Sequence, residues 1–304
     1  APSADIKLEV LPSAGSADNA RRLRNEPGVK LALVQSDVYQ SFVDLAAGGN
    51  TAARTLIRPI RVILPLYNEE IHFVVRADSE RNFIHEINNA KLNAGEQGSG
   101  TALTSATLYR LMFGASMPDA TTSYLSNEEA LAKLVTDKSI DVVAVVAGQP
   151  AKLFVDMKPE SRKLIKLLKF DPNHLTSKEV LKTYFPADVR AVNYPNLLTA
   201  DIPGLAVKAF LITYDFQRRD TEGHLRNMAR SLCENFGTLQ EKGHPKWREV
   251  ELALPDLGRG WFYYPTTTRE IRSCIAKKPK VEARVKTPSG KMCPQQERIL
   301  GLCG

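Results

Sequence analysis

The chain has 304 residues, of which 43% are hydrophobic and 25% charged, and carries a net charge of +7. That balance belongs to a globular protein long enough for two compact units, and it excludes a disordered or low-complexity chain. The longest apolar stretch, residues 140–148, is broken by Asp141 and is far too short to cross a bilayer.

Taken in order, residues 6–11 read as a strand, and Ser16 is placed to cap a helix through Leu23, with Ala17, Ala20 and Leu23 at helical spacing. Gly28 stops it. Residues 29–34 read as a buried strand, after which Ser36 caps a helix through Ala46 that Gly48 and Gly49 end. Residues 57–66 and 71–76 are expected to be two strands separated by a turn at Asn68, and residues 90–94 lead into the glycine-rich turn Gly95-Glu96-Gln97-Gly98-Ser99-Gly100-Thr101 and a helix over 101–113. A capping box, Ser126-Asn127-Glu128-Glu129, opens a helix ending near Val135. The apolar run over 141–146 suits a strand covered on both faces, and Gly148-Gln149-Pro150 sets proline at a first helical position. Later strands are expected over 164–168, 189–192 and 206–213, and a long helix over 221–239 closes the body. Strands interleaved with helices imply an α/β fold with mostly parallel sheets, whose ligands gather beyond the carboxyl ends of strands.

Charge and cysteine are both skewed toward the end. Residues 269–304 hold nine basic against three acidic residues, which leaves the body nearly neutral. A Lys/Pro-rich tail without an aromatic platform reads as a solvated extension rather than a nucleic-acid arm. Cys233, Cys274, Cys293 and Cys303 lack zinc spacing, so no metal is expected. Their even number points to two disulfides of open connectivity and an oxidising compartment. The first residues, Ala1-Pro2-Ser3-Ala4-Asp5, lack the pattern of a secretory signal, so an exported protein would be numbered from its processed form.

Three turns, each after an expected strand and at a helix start, carry the candidate site: Gln35 with Ser36; Gly98, Ser99, Gly100 and Thr101; and Gly148 with Gln149 and Pro150. A glycine-rich turn entering a helix offers unpaired N–H groups and a positive dipole end to an anion, and a carboxylate is the simplest guest. No lysine stands where a phosphate-binding loop needs one, and no Ser/His/Asp or paired-carboxylate arrangement surrounds the turn, so no enzyme is expected. His72 alternates with apolar residues on a strand and reads as a packed histidine.

The runs VQSDVYQSF, LPLYNEEIHFVVRADS, LNAGEQGSGT, IDVVAVVAGQP, NYP and AVKAFLITY, in that order from about Leu8 to Tyr264, resemble the TRAP-associated extracytoplasmic immunogenic (TAXI) family of solute-binding proteins. The resemblance implies a two-lobe type II periplasmic-binding-protein-like fold with a central ligand cleft. Its lobes would be residues 1–78 with 203–264, and 79–202, followed by a basic extension over 265–304. It implies a monomer outside the cytoplasm that needs no cofactor and hands a small organic acid or amino acid, glutamate or 2-oxoglutarate among them, to the membrane subunits of a TRAP transporter. It assigns ligand contacts to Gln35, Ser36, Tyr67, Gly98, Ser99, Gly100, Thr101, Gly148, Gln149 and Pro150. Gln35 can donate and accept, the Ser99 and Thr101 hydroxyls can donate to a carboxylate, and Tyr67 offers an apolar wall with a polar tip. This chain departs from the family in lacking an opening strand-helix unit before Ile6, in Asn68 where proline usually follows the tyrosine, and in its tail. The first departure leaves a sensing or scaffold module on the same fold as the alternative to transport.

Overall fold

The computed structural model describes residues 6–257 and 260–277. Its strands are β1 (Ala32–Gln35), β2 (Ile60–Arg76), β3 (Leu92–Asn93), β4 (Thr122–Ser123), β5 (Val142–Ala147), β6 (Ile165–Leu167), β7 (Phe185–Val189) and β8 (Ile202–Tyr214). They form one mixed sheet in the order β1-β8-β2-β5-β3-β4, with β6 on β2 and β7 on β8. The fold is α/β, but the expected parallel arrangement gives way to five antiparallel pairings against two parallel ones. Every antiparallel pairing involves β2 or β8. β1 and β2, joined through helices, do point the same way, but β8 has entered the slot between them. β3, β4 and β5 are parallel to one another, as helix-linked strands should be.

β2 replaces the two strands expected around Asn68. The turn at that residue is a pairing irregularity within one continuous strand, with register shifts against β8 between Val62 and Leu64 and between Pro65 and Asn68. A bulge lets adjacent residues change face without ending the ladder. Accordingly Ile60 and Val62 pack into one cluster with Val34, Val38 and Trp261, while the consecutive Ile63 and Leu64 both pack into another with Met228 and Val250. Further along β2 strict alternation returns: Ile71, Phe73 and Val75 join the cluster of Leu92, Leu108 and Phe170, and Val74 joins that of Leu134, Phe154 and Tyr194. The two long strands thus run through all four cores.

Helix starts follow their polar residues closely. The Ser99 hydroxyl accepts from Ala102 N–H at the head of Gly100–Phe113, and the Ser126 hydroxyl accepts from Glu129 N–H at the head of Asn127–Val135. Ser16 and Ser36 instead lie inside their helices, Ser16–Asn25 and Ser36–Ala47. Residues 6–11 form no strand, and Leu8, Val10 and Leu11 are exposed. The strand expected over 189–192 ends at Val189, and the helix expected over 221–239 breaks at Asn235 into Arg219–Glu234 and Phe236–Lys242. Pro150 precedes the short helix Lys152–Val155 rather than starting it. Within the segment read as a basic extension, Pro265–Lys277 is a helix packed on Arg219–Glu234, because Thr267 and Ile271 recur at helical spacing and are fully buried. No helix among the described residues is long and apolar enough to cross a membrane.

Candidate functional site

Two of the three turns reach the Glu69–Glu70 stretch of β2, and the glycine-rich turn packs on the first of them through Gln35. Successive side chains of a strand point to opposite faces, so the neighbours Glu69 and Glu70 reach different partners. Gln35, at the end of β1, donates through Nε2 to Glu69 Oε2 at 2.6 Å. The Gln149 N–H donates to Glu70 Oε2 at 2.7 Å. From the turn Pro245–Glu249, Lys246 Nζ donates to Glu70 Oε1 at 2.6 Å and to both oxygens of Glu249 at 2.8 and 3.0 Å. Burial raises the Glu69 and Glu70 carboxyls above their ordinary range, against the opposing pull of Gln35 on the first and of the Lys246 ammonium and Gln149 N–H on the second. Asp37 is a third raised carboxyl, desolvated by burial yet accepting from Thr104 Oγ1 at 2.6 Å, Tyr184 Oη at 3.0 Å and Val38 N–H at 2.8 Å.

The helix mouth expected to hold a carboxylate is filled by the chain itself. Gly100 is buried against the Gln35 amide, whose Oε1 is buried without a hydrogen-bond partner. Gly15, at φ +124°, closes the same mouth from the other side: a Cβ there would lie 3.0 Å from Gly100 N. Ser99 spends its hydroxyl oxygen on its own cap, Thr101 Oγ1 accepts from Val146 N–H at 3.3 Å, and Gly98, at φ +83°, is half-buried beside Arg21. Ser36 is half-buried in the first turn of its helix. A Cβ on Gly100 would run into Gln35 Oε1 and sit 2.7 Å from its Cδ. Gly100→Ala is therefore expected to cost about 1–3 kcal/mol in urea unfolding, and much less when introduced into a Gln35→Ala background, whose own cost includes the lost Gln35–Glu69 bond. Strictly additive losses would show that the two residues do not compete for this space.

Tyr67, Gly148 and Pro150 stand apart from that mouth and line a cavity of about 350 Å³, together with the end of β5, Lys152, His244 and Lys246. Gly148 forms the wall where the Lys246 stem passes: an added Cβ would lie 3.2 Å from Lys246 Cε and 3.5 Å from the Tyr67 ring. The Tyr67 hydroxyl is pushed up to about 12, first by burial and then by Glu69. Gln149 is unavailable to a ligand through its side chain, because Nε2 donates to Asp188 O at 2.9 Å and Oε1 accepts from Arg190 N–H at 2.9 Å. Asp37, Glu69, Glu70 and Lys246, to which the sequence assigned no role, are the buried charged residues packed among these turns. Two adjacent carboxylates between the apolar runs of one strand were the available signal for Glu69 and Glu70.

His72 is fully buried, as a packed histidine should be. A carbonyl can only accept, so Nδ1–H donates to Val145 O at 3.2 Å, and Nε2 then accepts from Tyr194 O–H at 3.3 Å. The Tyr194 oxygen in turn accepts from Ala151 N–H at 2.9 Å. Burial lowers the imidazole to about 4 and keeps it neutral. Cys233 and Cys274 pack in the same core, while Cys293 and Cys303 lie outside the described residues, as does any pairing with them.

Among solved structures, the chain resembles the Candida albicans CA3427 gene product, of generic periplasmic binding protein fold, at 13% identity and a TM-score of 0.46 over 92% of this chain and 84% of that one. It also resembles the arginine-, lysine-, histidine-binding protein ArtJ of Geobacillus stearothermophilus, at 11% identity and a TM-score of 0.44 over 85% and 84%. A TctC solute-binding protein from Polaromonas aligns at 15% identity and a TM-score of 0.37 over 84% and 80%. No curated protein matches the sequence. The model of the NMT1-like family matches residues 1–258, which include every strand of the sheet and the residues that line the cavity: the chain belongs to the NMT1-like family.

Proposed function

We propose that the protein is an extracytoplasmic solute receptor of TAXI type, which holds a small carboxylate without chemistry and presents it to the membrane subunits of a TRAP-type transporter. The observation that carries this reading is the cavity beside β2, lined by Tyr67 and Gly148 together with Lys152, His244 and the buried Lys246. Its volume of about 350 Å³ suits a metabolite of amino-acid size. The long strands β2 and β8 are the connection about which lobes of residues 1–78 with 203–264, and of 79–202, would close. A solute touching both lobes has higher affinity for the closed form and shifts its population.

Calorimetry and thermal unfolding against glutamate, 2-oxoglutarate, succinate and acetate test the reading. At least one should bind and raise the melting temperature with concentration, as any ligand of the native state must. Tyr67→Ala should weaken that ligand about tenfold by removing the apolar wall. Failure of the whole panel on the natural sequence, or binding that ignores Tyr67, would overturn it.

A further inference from the structure

Lys246 has no room for a ligand as it stands. An ammonium has three donors, and Nζ spends them on Glu70 Oε1 at 2.6 Å and on Glu249 Oε2 and Oε1 at 2.8 and 3.0 Å. Yet the side chain runs along the wall of the cavity, its Cε and Cγ laid against Gly148, and it is buried to 1% exposure. A fully desolvated ammonium at the edge of a solute-sized space is an unusual expenditure unless the charge is used there.

Its two carboxylate partners differ sharply. Glu70 sits in the middle of β2 with its side chain 3% exposed, and its second oxygen is bound by the Gln149 N–H, so it is fixed from two directions. Glu249 ends the turn three residues after Lys246, and its side chain is 46% exposed. Water can therefore solvate Glu249 as it leaves, whereas Glu70 would abandon two bonds inside the core. The charge count points the same way. One buried cation between two carboxylates is in excess by one negative charge, and replacing the exposed carboxylate by a ligand's leaves that count unchanged, so no further charge has to be desolvated.

We infer that Glu249 occupies the ligand's place on Lys246, making Lys246 the residue by which this cavity recognises an anion, and binding an exchange of one carboxylate for another. The inference rests on the reading of the cavity as the solute site and adds the group that reads the solute's charge. The turn Pro245–Glu249 stays tied to β2 through Lys246 and Glu70 while Glu249 gives way.

The test is calorimetry of the natural protein, Glu249→Gln and Glu249→Ala against glutamate, 2-oxoglutarate, succinate and acetate. Removing an internal competitor that fills the site most of the time should tighten binding about fivefold or more. Both substitutions change a half-exposed side chain, which leaves the fold intact. Binding that is unchanged or weaker in both variants, with the natural protein still binding, overturns the exchange and leaves the receptor reading standing. Binding by the variants but not by the natural protein would mean that Glu249 closes the site outright and is not displaced, which overturns both the exchange and the receptor reading. Silence from all three proteins overturns both.

Discussion

Replacing Lys246 with methionine is expected to destabilise the protein by about 3–5 kcal/mol, the usual cost of stranding one partner of a buried ion pair. Glu70 would be the stranded group, 3% exposed, keeping only the Gln149 N–H as a donor. Methionine matches the lysine stem closely, so the apolar contacts on Gly148 survive and the loss reports the charge. Adding Glu70→Gln removes the uncompensated charge while leaving an oxygen for the Gln149 N–H, and should recover at least half of the loss. Equilibrium unfolding in urea at pH 7 measures both variants. A single-mutant cost below about 1 kcal/mol would mean that Lys246 and Glu70 are solvated in solution and do not form the buried pair.

The second large effect is a dependence on pH that His72 should impose alone. Its folded-state value near 4 lies below the ordinary 6.5, so between those values the unfolded chain carries a proton on this ring that the folded protein does not. Stability that His72 contributes is therefore complete above about pH 6.5 and is lost as pH falls toward 4, by about 3 kcal/mol. Asp37, Glu69 and Glu70 act with the opposite sign: their folded-state values are raised, so their contribution is present below the unfolded carboxylate value and is lost as pH rises through the folded one. The bare pH profile mixes the two. Subtraction of a His72→Phe profile separates them, since phenylalanine keeps a ring against Phe154 and Tyr194. Relative to that variant, the natural protein should lose stability steadily from pH 6.5 to 4. Parallel profiles would mean that the imidazole titrates normally and is open to water.

How much of this was legible depended on the range of the interaction that decided it. Ser126 capped the helix expected of it, because a cap is settled by residues three apart, whereas Ser16 and Ser36 each begin their helix one residue past the cap. The position of the three turns in the chain could be read from strand-then-helix order. What they approach was not legible: Gln35 and Gln149 are bound to Glu69 and Glu70, and the helix mouth at Gly100 is sealed by the chain's own amide. Gly100 is a clear instance. A glycine at a helix start reads as space left for a guest, and only the packed structure shows that Gln35 fills it.

By itself, the sequence determined the class of fold and several of the longer helices, among them those over Ser36–Ala47, Gly100–Phe113 and Asn127–Val135, alternating with strands around apolar cores. Apolar periodicity and capping act within a few residues and need nothing else. Only the tertiary structure decided that residues 60–76 form one strand, that β8 lies between β1 and β2, and that Lys246 reaches Glu70 across 176 positions of sequence. Strand pairing and buried charge depend on which distant segment arrives to supply a partner, and no local pattern records that arrival.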